Sequence, residues 1–276
     1  MVCFIIALMN KDVASNWELV QKNFNNTLHS IFNQTDSHFR VYVGYTDMPE
    51  LYEKYDNRLV MIPCNTRTPV ERIEKLRDRG WKLSVCANAI YKDYDSLSFE
   101  DGGVFVFPVD ADDLVNNKIV EYANSHPHAN GFKSHVAYRH RKGDKYLEIT
   151  PYFGGTMNVM KLFKDDLIAT MPESSLCFDY ETACILHKSP VRWTDHEVEQ
   201  LFADLGRPLS KFPFKSTIYV IGTGENLSDS DPDNRKGSKK RFHPVAFLKK
   251  ICPFNKHLIT AKIKKEFGIQ EFGFNN

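Results

Sequence analysis

The stretch Gly102–Asn117 reads GGVFVFPVDADDLVNN. Five of the six residues from Val104 to Val109 are Val or Phe, and a run with no polar alternation marks a strand covered on both faces. Asp110, Asp112 and Asp113 then follow within four positions. Carboxylates this close repel one another unless a cation or strong hydrogen bonds offset them, and a hard divalent ion with oxygen ligands is the usual solution. In a turn leaving a strand, D-x-D spacing lets two acids face one ion while the residue between them points away. The same residues also suit a solvated turn in which Asp112 or Asp113 caps the following helix.

Working outward, Val2–Met9 (VCFIIALM) is a second fully apolar run, far shorter than the ~20 residues of a membrane span, and reads as a buried first strand. Trp17, Val20, Phe24, Leu28, Ile31 and Phe32 recur at helical spacing behind Ser15 and Asn16, which predicts an amphipathic helix. Strands are expected at Phe39–Tyr45 and Leu59–Ile62, with a helix over Val70–Tyr91 interrupted at Gly80 and another over Asn116–Ser125. Such β and α alternation predicts an α/β fold, a mainly parallel sheet with helices on both faces. Ligands of these sheets bind beyond the carboxyl ends of the strands, where the acid cluster lies.

Later segments predict a hairpin around Arg141–Gly143, helices at 178–186 and 196–205, and a strand at Ser216–Thr223. A polar loop is expected over 226–241, then a basic tail over 242–276 forming two amphipathic helices broken at Pro253. The main domain is accordingly read as 1–225, with a nucleotide-binding half at 1–115 and an acceptor half at 116–225.

Charge is distributed unevenly. Residues 235–276 hold eleven Lys or Arg against Glu266 and Glu271, a net +9, which leaves −8 for residues 1–234. The basic tail suits an anionic membrane surface or docking on the acidic body; nucleic acid fits poorly, since the body is acidic and no stacking-aromatic motif lies in a basic groove. Six cysteines without C-x-x-C spacing read as buried free thiols in a reducing, cytoplasmic setting.

The FPVDADD turn resembles the D-x-D turn of glycosyltransferases with the GT-A fold, especially the family 2 type. Asn26–Asp47 is similar to that family's first helix and second strand, and CANAIYKDYDSLSFEDGGVFVFPVDADD to its helix leading into the metal-site strand. FDYETACILH, Phe178–His187, resembles the helix that carries the family's general base, and the C-terminal part is more loosely similar to a bacterial group assigned rhamnosyl transfer.

The resemblance implies a metal-dependent, inverting transferase moving sugar from a nucleoside-diphosphate-sugar donor to a hydroxyl of a saccharide or glycolipid acceptor, as in bacterial surface polysaccharide synthesis. It assigns donor contacts to Ala7, Asp47, Lys82, Asn88, Asp110 and Asp112, Mn²⁺ or Mg²⁺ to Asp110 and Asp112, and the base to Asp179 or, second, Glu181. The chain departs from the family where its acidic pair after strand two falls on Tyr45 and Thr46, and where Ala87 replaces a frequent Arg. Two other classes compete: a non-catalytic nucleotide-sugar or carbohydrate-binding protein on the same scaffold, and a sugar nucleotidyltransferase. The second lacks its Gly-rich, basic loop after strand one, where MNKDVASNW stands.

Overall fold

A computed structural model describes residues 1–151, 158–169, 195–225 and 256–270. Val2–Ala7 forms β1, an interior strand of the main sheet. It runs parallel to β2 (Phe39–Tyr45) on one side and to β4 (Val104–Pro108) on the other, and β3 (Leu59–Pro63) continues the parallel run beyond β2.

Both faces of these strands are covered, which explains their unbroken apolar sequences. Val2, Phe4 and Ile6, with Phe105 and Phe107, pack under α1 (Trp17–Phe32). Cys3 and Ile5, with Val104 and Val106, pack against Leu83, Cys86, Ala87 and Ile90 of α2 (Arg72–Lys92). The two-residue period of the strand thus sorts one run of side chains between two helical layers. Glu71 and Glu74 form a reciprocal capping box that starts α2, and the helix continues through buried Gly80, where an interruption was expected. A short α3 (Tyr94–Leu97) follows it.

The expected mainly parallel sheet needs correction beyond β4. There β9 (Asn158–Leu162) runs antiparallel to both β4 and β6 (Gly131–Lys133), and β10 (Ser210–Lys211) lies parallel to β6. The completed order is β10-β6-β9-β4-β1-β2-β3. Strands from both expected halves therefore share one sheet. Helices α5 (Lys164–Ala169) and α6 (Asp195–Asp204) add Leu167, Val198 and Phe202 to the α2 layer.

A second sheet, unforeseen from the sequence, is ordered β12-β8-β7-β11-β5. Its members are β5 (Leu114–Val115), β7 (Val136–Arg141), β8 (Tyr146–Pro151), β11 (Thr217–Ile221) and β12 (Lys256–Leu258). β7 and β8 form the expected hairpin, turning at Gly143 with φ 90°. The helix expected over 116–125 is shorter, as α4 (Ile119–Asn124), because the Asn116 and Asn117 amides bond to the Ser216 and Glu266 carbonyls instead.

The basic tail is also corrected over its described part. Lys256–Leu258 is strand, antiparallel to β8, and only Ala261–Phe267 (α7) is helical. Ile263, Phe267 and Ile269 pack on Leu114, Leu147, Ile218 and Val220, so this segment is integral to the second sheet. The helix expected at 178–186 and the polar loop from 226 lie outside the described residues, as do 242–255. No helix among the described residues is long and apolar enough to cross a membrane.

Gly131 has φ 140°, and a Cβ there would overlap the carbonyl oxygen of Val159 on the neighbouring strand. Gly131→Ala is expected to destabilise the fold by about 2–3 kcal/mol, read as a lower urea midpoint with unchanged slope. A midpoint unchanged by this variant would mean that β6 and β9 do not pack this closely.

Candidate functional site

From β1 the chain moves outward to β2 and β3, then crosses back to place β4 on the opposite side of β1. At such a reversal the connections leave in opposite directions and open a crevice at the C-terminal strand ends. The DADD turn emerges here: the Val109 amide bonds to the Ile5 carbonyl at 2.9 Å, extending the β1–β4 ladder, and the Asp113 amide closes the turn on the Asp110 carbonyl at 3.1 Å.

The three acids do not converge on one point. Asp110 accepts from Arg79 of α2, with Nη2–Oδ1 at 2.8 Å and both side chains partly sheltered. Asp112 instead borders a cavity of about 170 Å³ on the α1 side, between that helix and the second sheet. Asp113 is fully buried, and its Oδ1 accepts the Val220 amide at 3.0 Å, tying the turn to β11. Arg79 offsets the charge of Asp110, and the Val220 amide offsets that of Asp113.

The sequence-predicted donor contacts divide in the same way. Ala7 closes β1 opposite Gly44, half-buried at the crevice edge. Asp47 follows β2, and its Oδ2 accepts the Lys11 amide at 2.7 Å. Lys82 is wholly buried: its ammonium donates to the Leu8 carbonyl at 2.8 Å, to Asp78 Oδ2 at 2.8 Å and to Asn10 Oδ1. All three ammonium hydrogens are thereby taken by protein oxygens, and Lys82 organises the floor of the crevice from below. Asn88 lies six residues farther along α2, about 9 Å at helical rise. That direction leads away from the crevice, since Asp93 at the helix end bonds Arg40 near the start of β2. Asp179 and Glu181 lie outside the described residues.

Sequence reading missed Asn10, Asp78 and Arg79. Asn10 is 2% exposed, its Oδ1 accepts from Thr46 at 3.4 Å, and its Nδ2 has no hydrogen-bond partner among the described residues. Thr46 also bonds Thr66, at 2.9 Å between hydroxyls. The available signal was positional: Asp78, Arg79 and Lys82 occupy the first half of a helix that runs back against the strands, so that half lies level with their C-terminal ends. Cys64, beyond β3, is buried, which raises its thiol pKa to about 11 and keeps it protonated. Cys3 and Cys86 are likewise buried and free, as the cysteine spacing suggested.

Among the described residues no three His, Cys, Asp or Glu side chains are grouped to hold a metal ion. Mg²⁺ and Mn²⁺ can be held by one or two carboxylates, with phosphate oxygens and water filling the rest. Asp112 is the one of the three acids that borders a cavity.

A scan against protein-family models finds no match to this chain, and a search of the curated proteins finds none either.

Proposed function

We propose that the protein is a GT-A-type glycosyltransferase that moves a sugar from a nucleoside-diphosphate-sugar to a hydroxyl acceptor. The observation that carries this reading is the position of the DADD turn at the reversal of strand order, beside β1. Polar groups follow three successive strands there and bond to one another or to neighbouring backbone: Asn10, Thr46 with Asp47, and Thr66.

In this reading Asp110, oriented by Arg79, accepts from a ribose hydroxyl, and Asp112 holds the diphosphate-bound ion. When bound, Mn²⁺ or Mg²⁺ supplies Lewis-acid stabilisation of the leaving diphosphate. Resemblance assigns removal of the acceptor proton to Asp179 or Glu181 and implies inversion at the anomeric carbon. The exposed lysines of α7, Lys262 and Lys265, suit an anionic membrane surface on the cytoplasmic side and a glycolipid acceptor. The Arg79–Asp110 pair favours a second reading, a nucleotide-sugar-binding protein without transfer, because it already neutralises one carboxylate of the D-x-D.

Thermal unfolding with a panel of nucleoside diphosphates and nucleotide sugars, each with Mn²⁺, Mg²⁺ or EDTA, tests the proposal. One nucleotide should stabilise the protein only with metal, by about 2.7 kcal/mol at a hundredfold excess over Kd. No shift from any of them in a folded sample overturns it. A shift without hydrolysis or transfer supports the binding-only reading.

A further inference from the structure

We infer that the cavity beyond Asp112 is a second ligand site, built for a monosaccharide that carries a carboxylate or a phosphate. Four α1 residues at helical spacing, Leu19, Lys22, Asn23 and Asn26, form one wall. Leu114 and Val220 of the second sheet provide apolar surface, and Lys142, from the β7–β8 turn, joins the lining. At about 170 Å³ the space equals on the order of six waters at ~30 Å³ each, which suits one sugar ring and not a chain.

The polar side chains on this wall stand apart from the rest of the helix. Asn25 is fully engaged, its amide donating to the Gln21 and Glu50 carbonyls and its oxygen accepting the Tyr52 amide. Asn16 caps α1 and Asn33 donates to the Lys265 carbonyl. By contrast, the side chains of Asn23, Asn26, Lys22 and Lys142 have no hydrogen-bond or ion-pair partner among the described residues. Two ammonium groups and two carboxamides thus border the same small volume as the Asp112 carboxylate, within a segment whose overall charge is negative. An acid group satisfies the lysines, while ring hydroxyls pair with carboxamides that both donate and accept.

His140, also in the lining, is neutral there: burial lowers its pKa, and its Nε2–H donates to the Asp144 carbonyl at 3.0 Å. It adds no third cation. Because Asp112 borders the same cavity, a sugar held here would lie beside the proposed transfer centre; its role as acceptor, though not its binding, rests on the transferase reading.

Isothermal titration of the full chain with glucuronate, glucose 6-phosphate and glucose, without nucleotide or metal, tests the site separately from donor binding. The expected result is binding of at least one anionic sugar, at least tenfold tighter than glucose. Lys22→Ala and Lys142→Ala should each weaken it about tenfold, or about 1.4 kcal/mol. The carboxylate and phosphate arms identify which acid group is preferred. Absence of binding by both anionic sugars, equal binding of glucose, or affinity that neither lysine variant lowers would overturn the inference. A nucleotide shift present or absent in the thermal assay does not alter these outcomes, so the two proposals fail independently.

Discussion

Lys82→Ala is expected to destabilise the protein by about 3–5 kcal/mol, the range for removing one partner of a buried ion pair. Lys82 is 0% exposed and Asp78 is 5% exposed, so the carboxylate left behind would have neither water nor a counter-ion. The Leu8 carbonyl would lose its Lys82 donor and Asn10 Oδ1 one of its two donors at the same time. The contact with β2 is also tight: a Cβ on Gly44 would come within 2.9 Å of Lys82 Cβ. Urea unfolding measures the loss directly. Pairing Lys82→Met with Asp78→Asn should recover much of it, since apolar and neutral replacements remove the charge together with its partner. A single-variant loss under about 1 kcal/mol would show that the network does not hold α2 to the end of β1.

Asp112→Asn is expected to abolish the metal-dependent nucleotide shift and to lower transfer by about a thousandfold, or about 4 kcal/mol of transition-state stabilisation. The amide keeps the shape of the side chain and removes its charge, so the folded state should persist. Asp113→Asn should behave in the opposite way, because Asp113 is buried and holds the Val220 amide. It should cost about 1.5–3 kcal/mol of stability, the worth of a hydrogen bond to a charged group. Circular dichroism melts alongside a radiolabelled-sugar transfer assay separate the two phenotypes. If Asp112→Asn transfers normally while Asp113→Asn does not, the assignment of acids in the DADD turn is wrong.

These two variants also show how far local sequence reaches. That Val104–Val109 is a covered strand ending in acids was legible, because an unbroken apolar run and its terminus are properties of neighbouring residues. That the three acids go to Arg79, to a cavity and to a β11 amide was not, because each partner lies far along the chain. Lys82 was placed correctly on its helix, but its burial depends on the close approach permitted by Gly44, 38 residues away. The lysines of the cavity went unnoticed for the same reason: Lys22 and Lys142 are ordinary polar residues until a helix and a hairpin turn bring them together.

By itself the sequence determined the α/β class, the parallel strands β1 to β4 with helices on both faces, the buried thiols of Cys3, Cys64 and Cys86, and the concentration of positive charge from residue 235 onward. All of these follow from periodicity and composition, which act over one or two turns of chain. Tertiary structure alone decided the strand order, the antiparallel insertion of β9, the second sheet and the conversion of Lys256–Leu258 from expected helix to strand. Those outcomes depend on which distant backbone donors and acceptors meet. Pairing partners are selected by packing across the whole domain, and a β-ladder between distant segments leaves no period in either one.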